Sequence, residues 1–444
     1  MLNKKPYIRV FKQKSDQILK IEIIKKDFFK HSLTLFSGSF IAQLIPLIIT
    51  PVLTRMYSEE LFGILFIYSS LCLVVSIIAS LRYELAIVLP ESDEEAANIL
   101  VLCFVITAII SSLVLFIVIL FSNQIVKLLG NEQIKPWLYL LPISVFFIGI
   151  YQSCIFWFNR KKKYTPISVG NVTRTATTGG TQLGLGFYKY QNFGLISGLI
   201  FGQIAYSLVL LAKLSKELPF IIKSTSRIKI IQYLKKYKDI PVFNTAISFL
   251  NALSFHMPVF IITRFYGIIT AGLYGMSYRL LSYPAQTIST AIGQVFYKEA
   301  NDKILKKESI FHIVKKIYIR LFLVAVIPLT IVAIWGPDLF KLILGNEWLL
   351  AGKYSQLLTP WILVMFLNTP FSYLITLLNK QRPLTFYYLF ELIAKFLSIF
   401  IGYKLYQNII YSLFFMSITG FVFNACLMIY YFVITKKNRY SLYK

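Results

Sequence analysis

About twelve long apolar stretches divide this chain of 444 residues, and this pattern constrains the fold more than any other feature. An α-helix rises 1.5 Å per residue, so roughly 20 apolar residues cross a hydrocarbon core of ~30 Å. The pattern therefore predicts an all-α integral membrane protein. The predicted spans lie at roughly 33–53, 61–81, 97–121, 136–158, 166–187, 192–213, 240–263, 272–295, 317–335, 356–378, 384–403 and 409–434.

Lysine and arginine are distributed unevenly among the loops between these stretches. If both termini are cytoplasmic, 35 of the 46 basic residues lie in inside segments or near the cytoplasmic ends of spans, and 8 lie in outside loops. Cytoplasmic loops carry such an excess in membrane proteins, so we predict cytoplasmic termini. The net charge of +27 is therefore not a sign of nucleic-acid binding. Beside membrane spans, basic loops set the orientation, and we expect anionic membrane lipids as their partners.

Three short motifs recur in the same order in the two halves of the chain. The motif Thr-Arg-Met-Tyr at 54–57 is followed by Gly63, and the motif Thr-Arg-Phe-Tyr at 263–266 is followed by Gly272. The interval from the arginine to the glycine is eight residues in both copies. Because each repeat contains six spans, an even number, both halves have the same orientation across the membrane. Parallel repeats of this kind predict two six-helix lobes with a cavity between them. The repeated segments are 54–57 with 263–266, 127–132 with 341–347 (one residue longer), and 159–165 with 379–385.

These patterns predict five regions of the chain. Residues 1–32 form a cytoplasmic segment with a helix on the membrane surface, and 33–213 form an N-terminal six-helix lobe. Residues 214–239 are a basic cytoplasmic linker. Residues 240–434 form the C-terminal six-helix lobe, and 435–444 are a cytoplasmic tail.

The segment 166–187 is too polar for an ordinary span, yet the topology requires it to cross. The basic cluster 160–163 and the linker after 213 are both predicted to be cytoplasmic, and 192–213 supplies one crossing only. A polar crossing faces a wet cavity or packs tightly against other helices, and both readings stay open. Gly180 and Gly184 have the spacing of a close helix contact. The predicted polar wall of a cavity consists of Asn171, Thr175, Thr178 and Gln182.

Three basic residues lie deep within predicted spans, away from the span ends, and they are our candidate substrate-binding cations. Arg174 lies near mid-depth, where an arginine costs roughly 2.5–3.5 kcal/mol on insertion scales. Its guanidinium can bind two phosphate oxygens at once. Arg279 and Lys395 are the other two, and a net positive cavity favours an anionic substrate. Alternatively, Glu391 lies four residues before Lys395, the favourable order for a helical ion pair, and neutralises it.

Glu391 and His256 are candidates for ion coupling, since both are titratable and lie deep in predicted spans. H⁺ or Na⁺ coupling stays open, as does a merely packed histidine. The four cysteines and three histidines are scattered, which predicts no metal site and no cofactor. Pro258 and Pro370 predict bends in their helices.

The segment 82–90, Arg-Tyr-Glu-Leu-Ala-Ile-Val-Leu-Pro, precedes an acidic run at 91–95. This sequence resembles the polysaccharide transporter family, the Wzx-type O-antigen and capsule flippases of the multidrug/oligosaccharidyl-lipid/polysaccharide (MOP) exporter superfamily. The segments 37–43, 54–57 and 159–160 are similar to the family too, and the resemblance covers essentially the whole chain.

The resemblance implies a MATE-like fold of two six-helix lobes that works by alternating access. The expected function is flipping of an undecaprenyl-diphosphate-linked oligosaccharide, an O-antigen or capsule repeat unit, from the inner to the outer leaflet. The expected location is the bacterial inner membrane. Expected partners are the polysaccharide polymerase and the chain-length machinery of lipopolysaccharide or capsule synthesis. No enzyme activity is expected.

Three other classes of function stay open at this point. A cation-coupled multidrug antiporter of the same superfamily usually has acidic residues deep in its first half, where this chain has Arg174. A polysaccharide polymerase or ligase needs large outside loops with catalytic groups. The longest predicted outside loop, 336–355, has only Asp338 and Glu347 as carboxylates. The third class is a non-transporting scaffold or a scramblase.

Overall fold

The computed structural model describes residues 40–305, 308–378 and 381–437, and the regular secondary structure in these ranges is helical. The predicted segment 1–32 and most of the predicted tail lie outside them. Twelve helices of at least 17 residues occupy the described part of the chain. They are α1 (Phe40–Met56), α2 (Glu59–Ser76), α3 (Asp93–Leu129), α4 (Leu141–Arg160), α5 (Tyr164–Phe187), α6 (Gln191–Leu214), α7 (Ala246–Tyr266), α8 (Ile268–Leu305), α9 (Phe311–Leu344), α10 (Leu349–Asn368), α11 (Gln381–Tyr406) and α12 (Ile409–Lys437).

Eight helical segments in the described residues are long and apolar enough to cross a membrane. They contain α2, α3, α4, α6, α7, α9, α11 and α12, and α1 is a shorter apolar helix. The protein is therefore a multi-pass membrane protein. The helices α5, α8 and α10 occupy the positions of three further predicted spans, and the total of twelve crossings stays a prediction.

Several helices extend beyond the spans that apolar composition predicts. Helix α3 has 37 residues, whereas the predicted span covers 97–121. Its first turn is acidic, and Ser92 accepts a hydrogen bond from the backbone N–H of Glu95, so the end is capped and matches the helix dipole. Gly130 ends the helix with a left-handed φ of 72°. Polar capping thus sets the ends of α3, which hydropathy does not predict.

Proline marks two of the interruptions in the helices. Helix α10 ends at Asn368, a 3-10 turn contains Pro370, and a separate short helix follows. Helix α9 is kinked at Trp335, two residues before Pro337. In contrast, α7 continues through Pro258. A proline removes one backbone hydrogen bond, and the neighbouring helices decide whether the helix then breaks.

The repeated glycines lie where α2 of the first half crosses α8 of the second. A β-carbon at Gly63 would lie 2.3 Å from the carbonyl oxygen of Ile268. A β-carbon at Gly272 would lie 2.1 Å from the carbonyl oxygen of Glu59. Both distances are shorter than any van der Waals contact, so the two backbones approach this closely only because both residues are glycine.

The repeated motifs at 54–57 and 263–266 contact the segments around Trp348 and Gly130 at the same end of the molecule. The indole N–H of Trp348 donates to the carbonyl oxygen of Thr54 at 3.3 Å. The Trp348 ring also packs edge-on against Phe62, with ring centroids 5.2 Å apart. In the matching contact, a β-carbon at Gly130 would lie 3.1 Å from Cδ of Arg264. Each half thus contacts the repeated motif of the other, and the two halves are closed together at this end.

The family-like segment 82–90 has a structural role. Arg160 donates from Nε to Oδ1 of Asp93 at 3.0 Å and from its terminal nitrogens to the carbonyl oxygens of Pro90 and Glu91. The Lys161 ammonium lies 2.5 Å from the other Asp93 oxygen. The basic end of α4 therefore holds the connection between α2 and α3.

The basic linker contains a helix at Arg227–Lys236, and it packs against the start of α3. Lys236 Nζ lies 2.6 Å from Oε1 of Glu95, which also accepts a hydrogen bond from the Tyr237 hydroxyl. The hydrogen bond to this carboxylate raises the pKa of Lys236. Ile228 on the same helix is 80% exposed. The acidic run after the second span thus anchors the linker.

Candidate functional site

A cavity with two compartments lies in the described part of the bundle. The larger compartment has a volume of about 850 Å³ and the smaller one about 310 Å³. Both volumes fall in the range of ~300–1,000 Å³ that is typical of ligand sites. The compartments are adjacent, because six residues line both of them: Leu73, Arg174, Phe255, His256, Tyr278 and Tyr283.

The two halves of the chain contribute unequally to the compartments. Among the described residues, those that line the larger compartment belong to the second half except Phe40, Gln43, Leu73 and Arg174. The smaller compartment is lined mainly by helices α1, α2, α4, α5 and α6, and closed by α7 and α8. The cavity is thus asymmetric, although the helices that build it are arranged as a repeat.

The larger compartment opens at the end of the bundle where α1 begins. Its lining residues Gln43, Tyr283 and Gln286 are exposed, and Tyr283 has 54% of its surface accessible. The crossing of Gly63 with Gly272 lies at the start of α2 and of α8, toward the opposite end. The structure is therefore open at one end and closed at the other.

Arg174 projects from α5 at the boundary between the compartments. Its guanidinium carbon lies 5.5 Å from the centre of the Tyr206 ring, which stacks on Tyr151 at 4.7 Å. The aromatic pair supports the cation through its negative face without neutralising it. Among the described residues Arg174 forms no ion pair, so its charge is available to a ligand.

Arg279 projects from α8 into the smaller compartment. Its guanidinium carbon lies 5.6 Å from the centre of the Tyr283 ring, and it too has no carboxylate partner within the described ranges. The compartment therefore has one unpaired arginine from each half of the chain.

Lys395 does not line either compartment, which corrects its place among the candidate cavity cations. The residue is fully buried, its Nζ lies 2.8 Å from Oε1 of Glu391, and the Trp361 ring centre is 4.5 Å away. Burial requires the ammonium to keep its counter-ion, because an unpaired buried charge is costly. Glu391 itself lines the larger compartment. The pair is therefore neutral and contributes no net charge to the cavity.

His256 lines both compartments and lies at the contact between α7 and α2. Its Nδ1 is 3.1 Å from Oγ of Ser70. With Glu391 paired, the lining of the described cavity has two free cations and no free carboxylate. An anionic ligand group is therefore favoured in the smaller compartment.

Three of the four predicted wall residues line the smaller compartment: Thr175, Thr178 and Gln182. Asn171 does not line it, and its carbonyl oxygen accepts a hydrogen bond from the Thr175 hydroxyl at 3.2 Å. The Gln182 amide donates to the carbonyl oxygen of Leu195 at 2.9 Å. Gln182 therefore also joins α5 to α6. The polar span thus both lines a cavity and packs tightly against another helix, so both interpretations of its polarity apply.

The predicted close contact at Gly180 and Gly184 is wrong, because both face open space. The close approach is made instead by glycines of α6. A β-carbon at Gly202 would lie 2.0 Å from Oγ1 of Thr178, and one at Gly198 would meet the Gln182 side chain. Gly198 and Gly202 have the same four-residue spacing, so the signal was present on the partner helix.

The aromatic residues of the larger compartment were missed by sequence reasoning. Tyr278, Tyr387 and Tyr388 are half-buried lining residues, and Tyr278 stacks on Trp361 at 5.7 Å. Aromatic residues make up 16% of the chain, so no local pattern distinguishes these from lipid-facing ones.

Comparison with known proteins agrees with this geometry. A family model described as "Polysaccharide biosynthesis protein" matches residues 52–352. No curated protein matches the chain. Among solved structures, the lipid II flippase MurJ in an inward closed conformation is 16% identical, with a TM-score of 0.69 over 91% of this chain and 89% of that one.

Two other solved structures show the same fold. An inward-facing multidrug resistance MATE family transporter of the MOP superfamily is 11% identical, with a TM-score of 0.63 over 92% of this chain and 96% of that one. A MOP superfamily transporter from Pyrococcus furiosus, described as having a binding pocket of reverse polarity, is 13% identical, with a TM-score of 0.58 over 95% and 97%. At these identities the likeness establishes the MOP fold and no substrate.

Proposed function

Because this chain belongs to the polysaccharide biosynthesis protein family, we propose that it is a flippase for a lipid-linked sugar. The substrate is an undecaprenyl-diphosphate-linked oligosaccharide, an O-antigen or capsule repeat unit, and it moves from the inner to the outer leaflet. The protein acts as a transporter and catalyses no covalent chemistry.

The observation that carries this proposal is the pair of unpaired arginines in the smaller compartment. Arg174 and Arg279 line the same space and have no carboxylate partner in the described residues. Arginine binds phosphate oxygens through two parallel hydrogen bonds, and such charge-assisted bonds are about twice as strong as neutral ones. A diphosphate offers oxygens to both guanidinium groups at once.

The proposed architecture has twelve spans in two six-helix lobes, with both termini in the cytoplasm of a bacterium and the protein in its inner membrane. Under this orientation the larger compartment opens to the cytoplasm, and the α2–α8 crossing closes the outer side. Rocking of one lobe against the other then exposes the headgroup outside, which is alternating access. Anionic lipids hold the basic loops, and the polymerase and chain-length machinery receive the product.

The membrane potential assists this direction of transport. Moving a charge against or with the potential changes its free energy by ~2.3 kcal/mol per 100 mV, so exporting two negative charges gains about 4–5 kcal/mol. If transport is coupled to H⁺ or Na⁺, Glu391 and His256 are the residues that we propose for binding the ion. Glu391 would have to exchange Lys395 for the coupled ion.

A cation-coupled multidrug antiporter is the second candidate, because an inward-facing MATE transporter shares the fold over 92% of the chain. The charges favour the flippase, since a cationic drug requires a free carboxylate and the cavity has free arginines instead. A drug-resistance assay on cells that overexpress the protein separates the two.

Gene deletion combined with two variants tests the proposed function. We expect the deletion to remove surface polysaccharide and to accumulate its lipid-linked repeat unit, which mass spectrometry identifies. Arg174→Lys retains a charge but loses the fork of donors, and Arg174→Ala loses both. Surface polysaccharide should therefore fall in the order wild type, Arg174→Lys, Arg174→Ala at matched protein levels. Normal polysaccharide in the deletion strain would contradict the proposal.

A further inference from the structure

The two compartments differ in chemistry as well as in size. The smaller one has both free arginines. The larger one has Arg174 only at its boundary, and its carboxylate, Glu391, is already paired. The remaining polar lining of the larger compartment consists of amides, hydroxyls, phenols, the Trp361 indole and the His256 imidazole, which lines both compartments. A single cavity thus offers a cationic region next to an uncharged, hydrogen-bonding one.

Aromatic residues line both compartments, eight in the larger one and six in the smaller one. Tyr387 and Tyr388 of α11 line the larger one but not the smaller one, and Tyr278 and Tyr283 of α8 lie where the compartments meet. The face of an aromatic ring is electron-rich, and it attracts positively polarised hydrogens. The axial C–H groups of a pyranose ring are such hydrogens, so tyrosine faces are suitable platforms for sugars.

Amide groups complete this surface. Asn251 of α7 lines the larger compartment, and its Oδ1 is buried without a hydrogen-bond partner in the described residues. A buried carbonyl oxygen of this kind is normally satisfied by a partner, which can be water or a ligand. Gln43 of α1 also lines this compartment and is exposed. Both amides suit the hydroxyl groups of a sugar.

We propose that the two compartments bind two parts of one headgroup, the diphosphate in the smaller compartment and the glycan in the larger one. This assignment rests on the proposed flippase function. Arg174, at the boundary, contacts the diphosphate at the point where the first sugar is attached.

Glycan selection then belongs to the second half of the chain. The first half supplies most of the wall around the diphosphate, a group common to all substrates of this class. The second half supplies Tyr278, Tyr387, Tyr388 and Asn251, which face the part of the substrate that differs between glycans. Changes in this wall alter which glycan is carried, whereas changes at the arginines affect every diphosphate ligand.

Binding of two probes to the purified protein in nanodiscs separates the compartments. The first probe is farnesyl diphosphate, which has no sugar. The second is the lipid-linked oligosaccharide extracted from the deletion strain. The variants are Arg174→Ala and the double substitution Tyr387→Ala with Tyr388→Ala. Phe386→Ala is the matched control on α11, because Phe386 is 63% exposed and lines neither compartment.

We expect Arg174→Ala to weaken both probes about tenfold or more, a change of ~1.4 kcal/mol. The tyrosine variant should weaken the glycan-bearing probe by about tenfold and leave farnesyl diphosphate within about twofold. The proposal is overturned if the tyrosine variant weakens both probes equally, or if Arg174→Ala leaves farnesyl diphosphate binding unchanged. Size-exclusion profiles that match the wild type exclude misfolding as the cause.

The outcomes distinguish this inference from the proposed function. If the wild type binds neither probe, the flippase proposal fails and the assignment of compartments fails with it. If the wild type binds both probes but the variants do not separate them, the flippase proposal stands and the assignment alone is wrong.

Discussion

Lys395 shows what single residues reveal in a sequence and what they conceal. The spacing of Glu391 and Lys395 predicts an ion pair, and the structure contains it. The sequence does not indicate that the lysine is buried behind Trp361, because α11 is apolar on most of its faces. For Arg174, by contrast, the polar residues around it on α5 indicated which side of the helix faces the cavity. The sequence therefore predicts how deep a residue lies in a span. It predicts the direction of the side chain only where the helix has a distinct polar face.

At the residue scale we predict that Lys395→Met destabilises the protein strongly. The substitution leaves the Glu391 carboxylate buried and unpaired, and breaking such a pair typically costs about 3–5 kcal/mol. Adding Glu391→Gln should recover much of this loss, since neither group then carries a charge. Thermal unfolding of the protein in detergent, followed by tryptophan fluorescence, measures the coupling as a double-mutant cycle.

Lys404→Met is the control for this cycle, because Lys404 lies on the same helix and is exposed. We expect it to leave the unfolding temperature nearly unchanged. Equal destabilisation by the two lysine variants, or no recovery in the double variant, would show that Lys395 and Glu391 are not energetically coupled.

At the element scale, topology predicted α5 where hydropathy did not. The need for a second crossing between two basic clusters placed a helix at 166–187, and the structure has one at Tyr164–Phe187. Its packing was not predictable, because α5 has five glycines and a helical pattern does not show which of them meet a neighbour. Gly170, Gly179 and Gly186 meet neighbouring side chains, Gly180 and Gly184 do not, and the close approach to Thr178 and Gln182 is made by two glycines of α6.

The crossing of α2 and α8 leads to a prediction about conformation. A β-carbon at Gly63 clashes with the backbone of Ile268, which cannot move aside without moving α8. Gly63→Ala should therefore weaken the closed end and favour the conformation that is open there. The measurement is labelling of a Thr54→Cys variant by a membrane-impermeant maleimide, because Thr54 is buried at this contact. Labelling should be faster in the Gly63→Ala background.

Gly180→Ala is the matched control, since Gly180 is also a helical glycine but has no atom near its β-carbon position. Both backgrounds should lack the exposed Cys426, so that the introduced cysteine gives the signal. Equal labelling in the two backgrounds would mean that the α2–α8 crossing does not close this end.

At the scale of the whole molecule, the internal repeat was the most informative part of the sequence. It marked Gly63 and Gly272, which meet at the crossing between the halves, and the segments around Gly130 and Trp348, which reach across it. Repeated motifs locate an interface because both copies occupy equivalent positions. The repeat does not predict the asymmetric cavity, since the lining residues are those in which the halves differ.

The central claim is that a cavity with free arginines carries a diphosphate-linked glycan across the membrane. Its most direct test is the fraction of lipid-linked glycan that an impermeant reagent labels on the outer face of spheroplasts. The strains are the deletion strain complemented with wild type, with Arg174→Ala plus Arg279→Ala, and with Arg55→Ala. Arg55 is an exposed arginine outside the cavity that bonds to the carbonyl oxygen of Pro51 in its own helix.

We predict that wild type and Arg55→Ala restore outer labelling, whereas the double variant leaves the glycan on the inner face at equal protein levels. Outer labelling by the double variant at the wild-type rate would contradict the account, because the diphosphate would then cross without either cavity arginine.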